Sequence, residues 1–162
     1  MSNHLSFILI LSKKQKMICF SGESIFKEYH LSTGKNGLGE INGSGCTPRG
    51  WHRVYSIIGM GYPQGSVFCH RKATGEVYND QLNIQYPERD WILSRIIQLD
   101  GMEVGRNKGG CYDSLQRYIY IHGTPEIEKL GQPASHGCVR MACQDVIEVA
   151  SWITLDTLIY IE

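Results

Sequence analysis

The chain carries a thiol and an imidazole whose surroundings suit acyl transfer: Cys138, directly after Gly137, and His122, directly before Gly123. A thiol attacks a carbonyl as its thiolate, and a free cysteine with a pKa near ~8.5 is mostly protonated at neutral pH. A neighbouring imidazole can take that proton. The oxyanion that develops needs N–H donors, and a glycine beside the nucleophile lets backbone amides approach closely. Two histidines compete for the role of base. His136 lies two positions before Cys138, a spacing that puts both side chains on one side of an extended loop. His122 is distant in sequence but ends an apolar strand that could lie beside the cysteine loop. Residue types alone leave this choice open. A helix starting just after Cys138 would add the positive end of its dipole near the thiolate.

Simpler readings compete with this one. A lone cysteine is most often a small buried hydrophobe, the default for Cys19, Cys46, Cys69, Cys111 and Cys143. His4, His30, His52 and His70 are read likewise as ordinary polar residues. His122, His136, Cys138 and Cys143 could in principle hold zinc, but their spacing fits no ordinary zinc pattern. None of the six cysteines forms a C-x-x-C pair. A chain long enough to bury its own core does not need disulfide staples, so reduced thiols are expected. The glycine-rich stretch Ser32-Thr33-Gly34-Lys35-Asn36-Gly37-Leu38-Gly39 lacks the pattern of a phosphate-binding loop.

Short strands between turns must position these residues. Phe7-Ile8-Leu9-Ile10-Leu11 reads as a first strand pairing with Met17-Ile18-Cys19-Phe20 across a turn near Lys13 to Gln15. Thr47-Pro48-Arg49-Gly50 and Gly61-Tyr62-Pro63-Gln64-Gly65 mark further turns. Residues 91–99 could be strand or short helix, which periodicity cannot settle. The clearest strand is Tyr118-Ile119-Tyr120-Ile121, β-branched and aromatic throughout, ending at His122-Gly123-Thr124-Pro125. After the cysteine loop, Val146, Ile147, Val149, Ala150 and Ile153 predict a helix over about residues 143–153. Leu158-Ile159-Tyr160-Ile161 closes the chain as a strand.

The 162 residues fit one domain, residues 1–162. Sixteen basic residues balance sixteen acidic ones. Without a basic cluster, a nucleic-acid partner is not expected. No stretch approaches the ~18 apolar residues of a membrane span. The N-terminal apolar run is short, is not preceded by Lys or Arg, and has no A-x-A-like site after it, so a strand explains it better than a signal peptide. A cytoplasmic location follows as the expectation, and a periplasmic one if a leader was removed.

Ile119-Tyr120-Ile121-His122-Gly123-Thr124, followed about fifteen residues later by Ser135-His136-Gly137-Cys138-Val139-Arg140-Met141, resembles the signature of the YkuD-type L,D-transpeptidases. Asp145 fits the same pattern, and weaker agreement runs back through Thr47-Pro48 and Ser32-Thr33-Gly34. The resemblance implies a mainly β, β-rich α+β fold: a sandwich or barrel of mixed sheets with one or two helices. It makes Cys138 the nucleophile and His122 the general base, oriented by the Gly123 backbone. The Gly137 and Cys138 amides would form the oxyanion hole. His136 and Ser135 would support the site, Arg140 would hold the loop or a substrate carboxylate, and Tyr120 would touch substrate or pack.

The resemblance also implies the partners. These are peptidoglycan stem peptides or soluble muropeptides, and a carbapenem as a covalent inhibitor, with no metal or organic cofactor. Cleavage of the diamino acid–D-alanine bond would pass through a thioester. With water as acceptor the enzyme is an L,D-carboxypeptidase of peptidoglycan recycling. With an amine it is a periplasmic transpeptidase that forms cross-links. Other readings are an inactive peptidoglycan-binding module, a cysteine hydrolase of ordinary L-peptides and a zinc-binding structural protein.

Overall fold

In the computed structural model, residues 5–162 are described; His4 lies outside them. The chain begins with a hairpin of β1 (Phe7–Leu11) and β2 (Lys16–Ser21), followed by β3 (Ser24–His30). The long β4 (Gly50–Ile58) precedes a second hairpin, β5 (Ser66–Cys69) and β6 (Lys72–Val77). A short helix α1 (Asp80–Gln85) leads to β7 (Ile92–Gly101). Then come β8 (Tyr120–Thr124), β9 (Val139–Ala142), helix α2 (Cys143–Trp152) and β10 (Leu158–Ile161).

All ten strands join one curled sheet in the order β3-β2-β1-β10-β4-β7-β5-β6, with β8 on β7 and β9 on β8. The sheet is mixed: β1 with β10 and β8 with β9 run parallel, and the other pairs run antiparallel. Ile97 pairs with Ile57 of β4 and with Ile121 of β8, so β7 is paired along both edges. Its residues are also buried almost continuously, the pattern of a strand covered on both faces.

The core forms where α2 packs on this sheet. Val146, Val149, Ala150 and Ile153 follow i, i+3, i+4, i+7 spacing and meet Ile121, Val139, Met141 and the inner residues of β1 and β10. Each large side chain fully buried there contributes roughly 1.5–3 kcal/mol. Asp145 sits in the first turn of α2, where its charge favours the helix dipole.

Two expectations need correction, and one choice left open by the sequence is decided. The strand before His122 starts at Tyr120, because Tyr118 has a φ of +56° and ends the preceding turn. His122 and Gly123 are thus inside β8, not at its end. No helix starts directly after Cys138; β9 intervenes, so the N-terminus of α2 lies five residues on, at Cys143. Residues 91–99 belong to a strand, and α1, capped by the Asn79 side chain on the Leu82 amide, was not anticipated.

Candidate active site

Strand pairing places the two suspect residues. β8 and β9 run parallel with Ile121 opposite Val139 and His122 opposite Arg140. Side chains alternate along each strand. Ile121, Val139 and Met141 therefore enter the core beneath α2, while Tyr120, His122, Cys138 and Arg140 share the other face. That face opens onto a cavity of about 440 Å³, lined also by Phe68, His70, Arg71, Asp90, Tyr118 and His136.

His122 is 1% exposed, and its Nδ1 lies 2.8 Å from the Gly123 carbonyl. A carbonyl only accepts, so Nδ1 carries the proton and Nε2 is the basic nitrogen. Burial holds the imidazole down, at about 4, against the opposing pull of the Gly123 carbonyl. Cys138 is half-buried. Its Sγ accepts from the Tyr120 amide at 3.3 Å and donates to the Tyr118 carbonyl at 3.4 Å. Burial pushes this thiol up to about 11, partly offset by the Tyr120 amide. Burial thus favours the neutral form of both groups. His136, by contrast, keeps 65% of its side chain exposed at the rim, with Nδ1 3.8 Å from Asp90.

The glycines have steric reasons. A Cβ on Gly123 would lie 2.6 Å from the Leu93 carbonyl and 3.0 Å from Cys143 Sγ. Gly137 has a φ of +125°, a conformation closed to other residues in practice. Opposite His122 and Gly123, β7 carries a bulge at Ser94 and Arg95, with Ser94 at a φ of +71°. Bulges of this kind are common beside active sites.

The cysteine loop is held from several sides. Ser135 Oγ donates to the Cys138 carbonyl and accepts from the Gly137 amide at 3.1 Å. The Gly137 amide is thus already bonded, so the hole expected from two amides is not open in full. The Cys138 amide has no protein acceptor among the described residues. Buried Thr47 donates to the Gly137 carbonyl and accepts from the Gly34 amide, each at 2.8 Å. Ser32 exchanges both backbone hydrogen bonds with Arg140, and the Thr33 carbonyl accepts from the Ser135 amide. The segments around Ser32 and Thr47, weak signals in the sequence, frame the loop that carries Cys138.

Arg140 is 7% exposed in its side chain and donates to Glu126 and to Asp90, each at 3.0 Å. It ties the loop to two other segments, and its charge is balanced twice. Tyr120 packs its ring against Phe68 and Ile96, while its hydroxyl meets Arg71 Nη1 at 3.0 Å. Asp90, Arg71 and Tyr118 were missed in the sequence because each reaches the site from a separate turn with no local motif. Cys143 stands apart, against Gly123 and the Thr124 carbonyl, and outside the cavity that Cys138 lines. No group of three or more His, Cys, Asp or Glu among the described residues is arranged to hold a metal. All six cysteines are unpaired. No helix among the described residues is long and apolar enough to cross a membrane.

Fold and site together define a β-rich protein that presents a thiol and a carbonyl-oriented imidazole on one face of two parallel strands. Residues 6–161 match the model of the L,D-transpeptidase catalytic domain, and the chain belongs to that family. Solved structures share the fold. An L,D-transpeptidase from Mycobacterium smegmatis aligns with a TM-score of 0.56 at 12% identity, over 96% of this chain and 58% of that one. An L,D-transpeptidase in complex with imipenem aligns with a TM-score of 0.57 at 13% identity, over 96% and 58%. The L,D-transpeptidase of Xylanimonas cellulosilytica gives 0.51 at 17% identity, over 98% and 61%. The chain thus spans about three-fifths of the length of these structures. A comparison with curated proteins finds no match.

Proposed function

We propose that this protein is a cysteine acyl-transfer enzyme acting on peptidoglycan tetrapeptide stems, with water as acceptor, and so an L,D-carboxypeptidase. The observation that carries the reading is the placement of Cys138 and the Gly123-oriented His122 on one face of β8 and β9, in one cavity. In this reading His122 Nε2 takes the Cys138 proton as Sγ attacks the carbonyl carbon of the diamino acid. The oxyanion is met by the Cys138 amide and, once it leaves Ser135, by the Gly137 amide. Collapse breaks the C–N bond, and the leaving D-alanine amine takes the proton from His122. A thioester remains. Water attacks it, giving one proton to His122, which returns it to the departing sulfur as the C–S bond breaks; the tripeptide leaves as its acid and ionises in solvent. Ser135 and Arg140 keep the loop in register, and His136 stands at the rim, where it can meet substrate.

Incubation with a defined tetrapeptide stem, followed by mass spectrometry, tests the proposal. Tripeptide plus D-alanine is the expected outcome. A second reading, transpeptidation to an amine acceptor, has one observation in its favour. A polar cavity of about 530 Å³ shares Asp90, His136 and Arg140 with the site and could hold a second peptide. Cross-linked dimers as the main product would establish it. Under either reading a carbapenem acylates Cys138, and intact-mass analysis shows one adduct that is absent from Cys138→Ala. Unpaired thiols suit a reducing compartment, and a cytoplasmic location is proposed on that ground. Fractionation of native cells tests it, and recovery with the periplasm would refute it.

A further inference from the structure

The cavity around Cys138 is lined by two arginines, and they are in different electrostatic states. Arg140 is neutralised by Asp90 and Glu126. Arg71 has no carboxylate partner among the described residues. Its guanidinium carbon lies 4.3 Å over the Tyr118 ring, and its Nη1 donates to the Tyr120 hydroxyl at 3.0 Å. These are the two residues whose backbone brackets the nucleophile, through the Tyr118 carbonyl and the Tyr120 amide. The uncompensated cation therefore stands on the wall that holds Sγ.

Its place in the backbone points the same way. Cys69 pairs with Lys72, so His70 and Arg71 form a two-residue hairpin turn. Their φ angles are +48° and +65°. Turns of this type favour Asn and Gly, because a β-carbon is crowded at positive φ. A long charged side chain stands where glycine would be the easier residue. Stacking and one neutral hydrogen bond aim the guanidinium but leave its charge unanswered.

We propose that Arg71 is the specificity-determining residue that binds the terminal α-carboxylate of the leaving D-amino acid. This rests on the reading of the site as an acyl-transfer centre for stem peptides. In such a substrate the carboxylate is attached to the carbon that bears the scissile nitrogen, so it must lie close to Cys138 during attack. A guanidinium can hold it through two parallel N–H donors. A stem extended by one residue, or capped as an amide, places no charge there.

The test compares a tetrapeptide stem with its C-terminal carboxamide. In the wild-type enzyme kcat/KM favours the free acid by about 10- to 100-fold, the range of a charge-assisted hydrogen bond. Arg71→Met keeps the length and the stacking surface. It should bring the two substrates within about threefold, through a higher KM for the acid and little change for the amide, and Arg71→Lys should restore part of the preference. Calorimetric binding of both peptides to Cys138→Ala, with and without Arg71→Met, reads the same preference without turnover. Preference in binding but no turnover by the wild type would refute the hydrolase reading and leave the carboxylate site standing. Equal affinity for acid and amide in the Cys138→Ala protein, or a preference that survives Arg71→Met, overturns the proposal.

Discussion

Lowering the pH from 6.5 tests whether His122 is held neutral, as the proposed role as base requires. The folded imidazole lies at about 4 and the ordinary value is 6.5. Above 6.5 the neutral ring suits both folded and unfolded chains, and this contribution to stability is fully present. As the pH falls toward 4 the unfolded chain takes a proton that the folded chain refuses, and stability is lost. The slope approaches about 1.4 kcal/mol per pH unit for one such group, and the whole window is worth on the order of 3 kcal/mol. His52 behaves alike: it is buried, bonded to the Gly50 carbonyl and Ser114 Oγ, and also pushed down to about 4. Two buried rings therefore give a wild-type slope nearing two protons. Glu40, Glu76 and Glu148, whose pKa values are lowered from 4.5 by Arg49, Arg89 and Lys27, act mainly below this range. Urea unfolding at intervals between pH 7.5 and 5 measures the slope. His122→Gln should remove about one proton from it and His52→Gln another. Parallel slopes for the wild type and His122→Gln would refute the neutral imidazole.

Cys138→Ala should abolish tripeptide release, whereas Cys111→Ala and Cys143→Ala should retain it, because neither thiol lines the cavity of the nucleophile. Iodoacetamide should modify Cys138 more slowly at neutral pH in His122→Ala, with a smaller effect in His136→Ala, and the reverse ranking would exchange their roles. Gly123→Ala forces a methyl group 2.6 Å from the Leu93 carbonyl and should cost about 1–3 kcal/mol in urea unfolding, with loss of turnover as the His122 anchor shifts. Thr47→Val leaves the Gly137 carbonyl and Gly34 amide without their partner. It should cost roughly 1–3 kcal/mol and slow acylation by a carbapenem, read by unfolding and by intact mass against time.

Local chemistry was legible in the chain. Short continuous apolar runs announced β1, β2 and β10, though only the structure shows which face of each is buried, and the spacing of Val146, Val149, Ala150 and Ile153 announced α2. Gly137 beside Cys138 and Gly123 beside His122 marked the two segments that matter, since close backbone approach leaves a trace in residue type. The choice between His122 and His136 was different in kind. It depends on the register of two parallel strands, a non-local pairing that puts His122 beside the cysteine segment and leaves His136 at the rim. Asp90 and Arg71 also had no local signal: a turn after α1 and the tip of the β5–β6 hairpin bring them in from far along the chain. Nor could residue type tell that Arg140 is balanced by two carboxylates while Arg71 is not. A side chain's charge is written in the sequence, but what answers that charge is set by which distant segments the folded sheet brings against it.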